Sequence, residues 1–519
     1  MSCLFVAGPP GAGKTTIARR IADELGQPFL DTDLLVESAL GRSPSEVIAR
    51  SGEASFRRAE QEVLHDLPEQ GVVALGGGTS SIPEARRIIR RRGLVVGLDA
   101  PLDVLWARLS RAEAPRPLAV SRQALADLLV ARGPAAYRFV DAQFSSVAEP
   151  ERVATQIKAW TQAQVRLEAQ LGSARTRVVV GRSLPVALAG ALSELAPTRP
   201  ILLLEDQGIP KELRDAYARS AESIGSVVRR PLAGGESVKT WSLLGQILEE
   251  AIGAGCGRQS VVVGLGGGAL TDLAGCAAGL LGRGAPLILV PSTLLAQVDA
   301  SVGGKCAVNT AQGKNLIGLF HPASDVLTDL ELLDSLPEEE LRSGAAELFK
   351  MGLLAGGELW ARLSDRRAPP FGVDPRSVAL SIRAKAEIVA SDPFERGRRK
   401  ILNLGHTLAH ALEKASAFEL RHGDAVAMGT ASAVRWSRWR GMMSDEVSRS
   451  ILEAQARLGL PDRVAPELLQ AALPHFGQDK KGHGGGGQEI GLSKTGEPEL
   501  IAVEWGQLGQ ELRESETEG

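Results

Sequence analysis

Eight residues near the N-terminus, GPPGAGKT at 8–15, restrict the fold more than any other stretch of the chain. They match the pattern G-x-x-x-x-G-K-[ST] and lie between a short apolar run and a helical pattern that Gly26 closes. In this pattern the backbone N–H groups wrap phosphate oxygens, Lys14 reaches the terminal phosphates and Thr15 can hold Mg²⁺. The stretch therefore predicts a strand–loop–helix unit of a parallel α/β sheet that binds a nucleotide.

Two further stretches place three consecutive glycines after a β-branched apolar run. They are VVALGGGTS at 72–80 and VVVGLGGGAL at 261–270. Glycine lets a backbone approach a ligand closely, so each triplet is a candidate binding turn at the end of a strand. Apart from these triplets we find no internal repeat, which favours two different sites over a duplicated domain.

The length of the chain, 519 residues, is too great for one ordinary hydrophobic core. Strand-like runs alternate with helical patterns up to about residue 330, and long helical patterns follow. The sequence predicts an α/β protein with two parallel-sheet domains and a mainly helical domain. The predicted boundaries are 1–165 for the first α/β domain, 166–175 for a linker, 176–330 for the second α/β domain and 331–519 for the helical domain.

Charge and cysteine usage argue against several classes of protein. The net charge of −3 gives no overall attraction to nucleic acid or to an anionic membrane, so we expect neither partner. Four scattered cysteines without a Cys-x-x-Cys pair indicate a reducing compartment. No signal-peptide pattern occurs, and no apolar run approaches the ~20 residues that span a bilayer. We therefore expect a cytoplasmic protein.

Two charged segments are predicted to face solvent. The basic run RRIIRRRG at 86–93 is typical of a solvated helix face. The terminal stretch RESETEG at 513–519 is charged and lacks apolar residues, so we expect it to be disordered.

Carboxylates and arginines suited to a small anionic acceptor follow the nucleotide loop. Asp31 and Asp33 in FLDTD end a predicted strand, where Asp31 could support the metal and Asp33 could orient a hydroxyl for attack. Arg57 and Arg132 present guanidinium forks that match a carboxylate. Taken singly, each arginine is better explained as a surface or ion-pair residue. Both arginines converging on one pocket would suit a small carboxylate.

These motifs together resemble the shikimate kinase family over roughly residues 1–160. The resemblance rests on the phosphate loop, DTD, GE-x-x-FR-x-x-E, LGGG, RPL at 116–118 and R-x-P-x-x-Y. It implies ATP with Mg²⁺, shikimate as the acceptor, and a lid carrying Arg116 that closes over the nucleotide. The implied ATP-binding residues are Gly11, Ala12, Gly13, Lys14, Thr15, Thr16 and Arg116, with Thr15 and Asp31 at Mg²⁺. The implied shikimate-binding residues are Asp33, Arg57, Gly76, Gly77, Gly78 and Arg132, and the implied catalytic residues are Lys14, Asp33 and Arg116.

The second glycine triplet and a group of histidines indicate a different site. Three glycines after a strand, with Asp272 four residues beyond them, suit a dinucleotide pyrophosphate, although they are not the G-x-G-x-x-G pattern. The region 291–318 is also unusually polar among small residues. His406, His410 and His422 lie within 17 residues, and the i, i+4 spacing alone favours His406 and His410 as a pair of metal ligands.

Residues from about 176 to 505 resemble the 3-dehydroquinate synthase family. The shared motifs include GGESVK, Q-V-D-x-S-V-G-G-K, GKN-x-IG, SG-x-AE-x-x-K and LN-x-GHT-x-x-HA-x-E. The resemblance implies a Rossmann-like NAD-binding domain followed by a helical domain for metal and substrate. It places the ligands of Zn²⁺ (or Co²⁺) on Glu347, His406 and His422, and not on the i, i+4 pair. It makes His410 a substrate and proton-transfer residue.

The substrate implied by this resemblance is 3-deoxy-D-arabino-heptulosonate 7-phosphate, an anion with a phosphate and a carboxylate. In the implied reaction NAD⁺ oxidises a hydroxyl that zinc polarises, phosphate leaves, and the hydride returns before the ring closes. The implied NAD contacts are Asp206, Glu236, Lys239, Gly267, Gly268, Asp272, Thr293, Asp299, Lys305 and Lys314. The implied substrate contacts are Arg283, Asp299, Lys305, Asn315, Lys350, Lys385, Arg399, Asn403, His410 and one of Lys480 and Lys481. The implied catalytic residues are Lys305, Lys350, Lys385, Glu395, Arg399, Asn403 and His410.

The two resemblances predict a bifunctional enzyme of aromatic amino-acid biosynthesis, with a P-loop kinase before the synthase. They also imply a homodimer through the synthase half, in which Arg283 completes the phosphate site of the neighbouring subunit. One alternative makes the C-terminal half a related sugar-phosphate cyclase or a polyol dehydrogenase. Another makes the N-terminal half a non-catalytic ATP-sensing module. The intact Lys14, Asp33 and His410 favour the two catalytic activities.

Overall fold

The computed structural model describes most of the chain. It covers residues 3–42, 46–47, 50, 52–111, 119–133, 135–171, 174–195, 197–393, 395–476 and 486–517. Three residues predicted for the sites, Arg116, Lys480 and Lys481, lie outside these ranges.

A parallel five-stranded sheet forms the centre of the N-terminal domain. Its strands are β1 (Cys3–Ala7), β2 (Phe29–Asp31), β3 (Val72–Ala74), β4 (Gly93–Asp99) and β5 (Ala142–Ser145). The helices of this domain are α1 (Lys14–Leu25), α2 (Thr32–Leu40), α3 (Glu53–Asp66), α4 (Pro83–Arg92), α5 (Leu102–Leu109), α6 (Arg122–Arg132), α7 (Ala135–Arg138) and α8 (Pro150–Gln162). The strand order is β2-β3-β1-β4-β5, and β1 is buried along its whole length. An apolar cluster lies on each face, as a parallel sheet covered on both sides requires.

A second sheet, of seven strands, forms the centre of the next domain. Its strands and an adjoining hairpin are β6 (Val165–Leu171), β7 (Ala174–Gly181), β8 (Ile201–Asp206), β9 (Val227–Leu232), β10 (Val262–Gly266), β11 (Leu287–Pro291), β12 (Lys305–Thr310), β13 (Gly313–Phe320) and β14 (Asp325–Asp329). Its helices are α9 (Pro185–Leu195), α10 (Lys211–Glu222), α11 (Trp241–Gly253) and α12 (Gly268–Leu280), and a π-helical turn spans Ala296–Ala300. The order is β6-β7-β14-β11-β10-β8-β9, with β12 and β13 paired separately. Only β6 runs antiparallel to its neighbour among these seven strands as described.

In the segment 166–175, predicted as a linker, the described residues 166–171 and 174–175 instead belong to strands of this second sheet. Strand β6 pairs antiparallel with β7 in a register that joins Val165 to Val180 and Leu171 to Ala174. The helix before it, α8, ends at Gln162, so little chain separates the two domains. In the stretch VRLEAQL at 165–171 the apolar residues alternate with polar ones, which is the period of a strand half-buried at a sheet edge.

The C-terminal part is mainly helical, as predicted. Its helices are α13 (Glu338–Ala355), α14 (Gly357–Ser364), α15 (Pro375–Ser391), α16 (His406–Ala415), α17 (His422–Trp439), α18 (Asp445–Arg457), α19 (Pro466–Ala472) and α20 (Trp505–Thr517). A hairpin of β15 (Gly486–Lys494) and β16 (Glu497–Glu504) precedes α20. Helix α17 is buried along most of its length and forms the centre of the domain. Over the described part of the chain, no helix combines the length and the apolar character needed to cross a membrane.

Both segments predicted to face solvent are helical and partly buried over the residues that the structure describes, which end at Thr517. In the basic run, Arg86 and Arg90 are only 6% and 0% exposed, because α4 turns that side toward the second domain. In the terminal stretch, α20 continues to Thr517. The buried Glu511 of this helix accepts hydrogen bonds from Trp436 Nε1 at 2.8 Å and from Arg440. Both predictions failed because the acidic and basic partners lie far away in the sequence.

Replacing Glu511 by alanine is expected to lower the free energy of unfolding by about 1–3 kcal/mol, because the buried Trp436 N–H loses its acceptor. Urea unfolding followed by circular dichroism measures this change. The control is Glu514→Ala, an exposed position on the same helix, which is expected to change the stability by less than about 0.5 kcal/mol. Equal effects of the two variants would contradict the role given to Glu511.

Candidate active sites

The phosphate loop joins β1 to α1 at the C-terminal edge of the first sheet. Gly8, Gly11 and Gly13 have positive φ angles of 149°, 83° and 82°. A Cβ on Gly8 would lie 2.6 Å from the carbonyl oxygen of Leu98, and a Cβ on Gly11 would lie 2.7 Å from that of Leu105. Both the backbone angles and the close contacts therefore require glycine in this loop.

The two polar side chains that open α1 are held by contacts within the predicted site. Lys14 Nζ donates to the carbonyl oxygens of Gly8 at 3.0 Å and Pro9 at 3.2 Å, which holds it across the loop. Thr15 Oγ1 donates to Asp31 Oδ2 at 2.8 Å, so the two groups predicted at Mg²⁺ touch each other. The other predicted loop residues are Ala12, which is buried, and Thr16, which is exposed on the first turn of α1.

Asp33, Arg57 and Arg132 converge on the first glycine triplet. A Cβ on Gly76 would collide with the Asp33 carboxylate, and one on the third glycine would lie 2.5 Å from Arg57 Nη1. Arg132 Nη1 donates to the carbonyl oxygen of Gly77. The structure thus brings all six residues predicted for the acceptor together beside the phosphate loop.

Two residues of this region were missing from the predicted set. Glu60 is 1% exposed and accepts hydrogen bonds of 2.6 Å from both Arg57 and Thr79. Burial raises the pKa of Glu60, against the opposing effect of these two bonds. The spacing of three residues between Arg57 and Glu60, which places them on one face of a helix, was the sequence signal that could have identified Glu60. Arg108 donates to the Ser146 carbonyl oxygen at 2.6 Å beside the phosphate loop, and nothing in its local sequence separates it from a surface arginine.

The second glycine triplet joins β10 to α12. Gly266 ends the strand, Gly267 is the residue before the helix, and Gly268 begins it. A Cβ on Gly266 would lie 3.1 Å from Asp206 Cβ, and a Cβ on Gly267 would lie 3.3 Å from Thr293 Cγ2. The predicted Asp206 and Thr293 therefore flank a bare helix N-terminus, which is a favourable place for an anion.

A set of charged side chains lies next to this turn. Lys239 is buried, and its Nζ lies 2.5 Å from Asp272 Oδ2 and 4.0 Å from Glu236 Oε1. Burial raises the pKa of Asp272, while the Lys239 ammonium opposes that shift. Glu236 also accepts a 2.6 Å hydrogen bond from Asn309 in β12. These residues connect the glycine turn to the β12–β13 hairpin.

Three residues from three helices form a group that could hold a metal ion. Glu347 lies within α13, whereas His406 and His422 are the first residues of α16 and α17. Their ligand atoms lie within 4.8 Å of one another, and Glu347 Oε1 is 3.3 Å from His406 Nε2. His410 is not in this group, and its ring centroid is 5.5 Å from that of His406. Helix packing, and not the i, i+4 spacing, therefore defines the ligand group.

The electrostatics of this group keep its carboxylate ionised. Burial alone would raise the pKa of Glu347, but the Lys350 ammonium 2.5 Å away and the two imidazoles hold it well below its usual range. Burial opposes protonation of His422, yet hydrogen bonds to Glu347 and Glu413 raise its pKa to about 9. The cluster therefore has carboxylates placed to offset positive charge, which suits a bound cation.

Glu413 is a further residue that sequence reasoning missed. Its Oε1 lies 3.3 Å from His422 Nδ1, on the side of the ring opposite Glu347. A carboxylate in this position fixes the orientation and tautomer of a metal-binding imidazole. Glu413 follows His410 by three residues and His406 by seven, so the helical period of α16 was the available signal.

A cavity of about 620 Å³ adjoins the β12–β13 hairpin and α15. Burial lowers the pKa of Lys385 on its wall, against the effect of Asp299, whose carboxylate and carbonyl oxygen both accept from Lys385 Nζ. Arg399 is 4% exposed and donates to the Pro393 carbonyl oxygen at 2.7 Å. The predicted substrate residues on the wall are Asp299, Lys305, Asn315, Lys385 and Arg399. Three cations thus share one cavity.

The other predicted residues of this half divide into two sets. Glu395 connects Lys305 to Asn403, whose Nδ2 donates to Glu395 Oε1 at 3.2 Å. In contrast, Lys314 lies over the ring of Phe418, 5.4 Å from its centroid. Arg283 follows the C-terminal end of α12 and does not line this cavity.

Comparison with protein families assigns both halves of the chain. Residues 10–162 match the shikimate kinase family. Residues 230–343 match the N-terminal domain of 3-dehydroquinate synthase, and residues 344–482 match its C-terminal domain.

Curated relatives and solved structures agree with this assignment. The 3-dehydroquinate synthase of Rhodopseudomonas palustris (strain TIE-1) is 39% identical over 308 residues, 58% of this chain and 81% of that protein. That of Cereibacter sphaeroides (strain ATCC 17029 / ATH 2.4.9) is 40% identical over 331 residues, 61% of this chain and 88% of that protein. The structure of 2-deoxy-scyllo-inosose synthase complexed with carbaglucose-6-phosphate, NAD⁺ and Co²⁺ superposes with a TM-score of 0.60 at 25% identity, and the match covers 67% of this chain and 100% of that one.

A second solved structure has the same fold over the same share of the chain. The 2-epi-5-epi-valiolone synthase from Streptomyces hygroscopicus subsp. jinggangensis 5008, with NAD⁺ and Zn²⁺ bound, superposes with a TM-score of 0.57 at 25% identity and is covered to 97%. These likenesses confirm the predicted α/β fold with its helical C-terminal part. The chain therefore belongs to the 3-dehydroquinate synthase family and also contains a shikimate kinase domain, which makes it a bifunctional enzyme of the shikimate pathway.

Proposed function

We propose that the N-terminal site transfers a phosphoryl group from Mg-ATP to a hydroxyl of shikimate. Asp33 orients that hydroxyl, and the guanidinium groups of Arg57 and Arg132 bind the carboxylate. The observation that carries this proposal is the convergence of these three side chains on the first glycine triplet, beside the phosphate loop. A small ring acid in that pocket would lie between the arginines and the terminal phosphate.

The residues of the loop fit Mg-ATP. Backbone N–H groups of the positive-φ glycines bind the phosphates, and Lys14 moves from its carbonyl partners to the transferred phosphoryl group. The contact between Thr15 and Asp31 supplies a hydroxyl and a supporting carboxylate for Mg²⁺, which would neutralise charge on the phosphates. Arg116, which lies outside the described residues, is proposed as a further contact of the nucleotide.

The variant Asp33→Asn tests the assignment of the orienting carboxylate. We expect the kcat of the kinase to fall about 10²- to 10⁴-fold, since a positioned acid–base group contributes that much, while the synthase activity stays unchanged. ADP release with shikimate measures the effect. The exposed Asp23→Asn on α1 is the control and is expected to keep full activity. An unchanged kcat for Asp33→Asn would contradict the proposal.

We propose that Glu347, His406 and His422 bind zinc in the synthase site. The donor set supports this, because two imidazole nitrogens and one carboxylate oxygen within 4.8 Å leave a fourth tetrahedral position for substrate. Zinc there would polarise a substrate hydroxyl. Glu413 would hold the His422 ring in the ligating orientation, and Lys350 would balance the charge of Glu347.

The turn between β10 and α12 is the proposed NAD⁺ site. Gly267 and Gly268 let the pyrophosphate approach the helix N-terminus, and Asp206 at the end of β8 lies beside the turn for a ribose hydroxyl. NAD⁺ would remove and return a hydride during the reaction. The other proposed contacts are Glu236, Lys239, Asp272, Thr293, Asp299, Lys305 and Lys314.

The cavity of about 620 Å³ is the proposed site for the heptulosonate phosphate. Its cations, Lys305, Lys385 and Arg399, suit a ligand that carries both a phosphate and a carboxylate. His410, beside the metal group, is proposed to move a proton, with Asn403 and Glu395 holding hydroxyl groups. Lys350, Asn315 and one of Lys480 and Lys481 complete the proposed anion contacts.

The variant His422→Ala tests the zinc site. We expect zinc affinity to fall by more than the roughly 10- to 100-fold that follows loss of an outer partner, and NAD⁺-dependent phosphate release to disappear. Metal analysis and a phosphate assay measure the two effects, and kinase activity with added Mg²⁺ should persist. His65→Ala, an exposed histidine on α3, is the control. Full zinc content with retained activity in His422→Ala would overturn the ligand assignment.

We also propose a cytoplasmic homodimer that associates through the synthase half, without nucleic acid or membrane partners. Arg283 does not line the cavity of its own subunit, which supports a role in the site of the neighbouring subunit. The β12–β13 hairpin also exposes Leu316 and Phe320, by 63% and 54%, as an apolar surface for a second copy. Four free, buried cysteines fit a reducing compartment.

Mixing two inactive variants tests the shared site. Arg283→Ala and Lys385→Ala are each expected to lack synthase activity. After exchange of subunits, about a quarter of the sites should combine an intact Lys385 with an intact Arg283 from the neighbour, and activity should return to about that fraction. Phosphate release before and after mixing measures it. No recovery despite exchange shown by differently tagged chains would contradict the role of Arg283.

A further inference from the structure

Helix α9 of the synthase half packs directly on the kinase half. Val186, in the first turn of α9, packs against the apolar cluster on one face of the kinase sheet, which contains Phe5, Ile89 and Phe139. A side chain from one enzyme therefore completes the hydrophobic core of the other. Helix α9 also contacts α4, α7 and β5 of the kinase half. The faces of these elements that contact α9 form an interface between the two halves.

A buried charge at this contact is neutralised from both halves. The Arg90 side chain of α4 is fully buried, and its Nη1 donates to the Phe139 carbonyl oxygen at 2.5 Å. Its other nitrogens lie 3.2 Å from Asp141 in the kinase half and 3.3 Å from Glu194 in α9. Removing one partner of a buried ion pair is strongly destabilising, so Arg90 requires both halves in place.

The ionic network continues into the synthase sheet. Glu194 lies 3.9 Å from Arg177 of β7, and Arg177 pairs with Asp325 of β14. Arg166 of β6 donates to the backbone carbonyl oxygen of Arg90. Charged and backbone contacts therefore connect α4 of the kinase half to three strands of the synthase sheet without a break.

A glycine in α9 allows the two halves to approach this closely. A Cβ on Gly190 would collide with Arg90 and would lie 2.5 Å from the Val140 carbonyl oxygen. Glycine weakens a helix interior relative to alanine, so helix stability does not explain its presence here. We call the contact formed by Arg90, Asp141, Val186, Gly190 and Glu194 the domain joint.

The domain joint also supports both walls of the acceptor pocket. Helix α4 begins just after the first glycine triplet, and Arg86 on it donates to the Ser80 carbonyl oxygen at 2.8 Å. Helix α7 carries Tyr137, whose hydroxyl accepts from Arg132 at 3.3 Å. A shift of α9 would therefore move α4 and α7, the helices that hold residues of the kinase site.

We infer that the kinase and synthase halves unfold as one cooperative unit through the domain joint, so that NAD⁺ bound to the synthase half protects the kinase activity. The inference rests on the proposed NAD⁺ site. A ligand that binds only the folded state stabilises everything that unfolds together with its site, and NAD⁺ at 100 times its Kd shifts that equilibrium about 100-fold. If the two halves unfolded independently, bound NAD⁺ would protect only the synthase activity.

Heat inactivation of the full-length chain tests the inference. Samples with and without NAD⁺ are heated for a fixed time, and both activities are then measured. We expect NAD⁺ to raise the temperature of half-inactivation of the kinase as much as that of the synthase, without changing the kinase rate before heating. NAD⁺ binding is titrated in the same samples. Absence of binding would contradict the proposed function, whereas binding without protection of the kinase would overturn the inference.

Variants of the domain joint locate the coupling. Gly190→Ala is expected to abolish the protection of the kinase by NAD⁺, although the change favours the helix itself. Gly245→Ala in α11 is the matched control, because nothing lies within 4 Å of its added Cβ, and it is expected to keep the protection. Glu194→Gln removes one charge of the joint with little change of shape and decides the question if Gly190→Ala fails to fold. Undiminished protection in the joint variant tested would overturn the inference.

Discussion

The packing of the kinase half against the synthase half depends on the carboxylates that pair with one buried guanidinium group, that of Arg90. Arg90 has no access to water, and a buried charge is tolerated only when it is paired and hydrogen-bonded. Asp141 supplies one negative charge from the kinase half, and Glu194 supplies another from the synthase half. Helix α4 follows the acceptor glycines, and α9 follows the first strands of the second sheet. The pairing of Arg90 with Glu194 therefore fixes the position of one half relative to the other.

The two glycine triplets meet similar steric demands in unrelated surroundings. The first ends a strand of an all-parallel five-stranded sheet and gives space to the side chains of Asp33 and Arg57. The second, in a seven-stranded sheet with an antiparallel edge, leads into the N-terminus of α12. Different strand orders and different neighbours exclude a duplicated domain. Glycine recurs because in both places a backbone must lie close to another group.

Motifs whose chemistry is local were predictable from sequence, and features that depend on distant partners were not. The phosphate loop and the glycine turns are set by backbone geometry within a few residues, so their patterns were sufficient. The metal group joins three helices, and only the family resemblance identified Glu347 and His422 as companions of His406. Arg90 looked like a surface charge because its acidic partners lie more than fifty residues away. Strand β6 was not recognised as a strand because it carries charged residues, which lie at the edge of the sheet.

The glycine at position 190 has a consequence for how such a fusion can change over time. Any larger side chain there would force Arg90 and the backbone at Val140 away from α9. A kinase from another source could be exchanged into this chain only if it also offered a buried arginine and an uncrowded backbone to that glycine. The two catalytic halves are therefore not interchangeable domains joined by a linker. Their contact depends on the absence of a Cβ atom at Gly190.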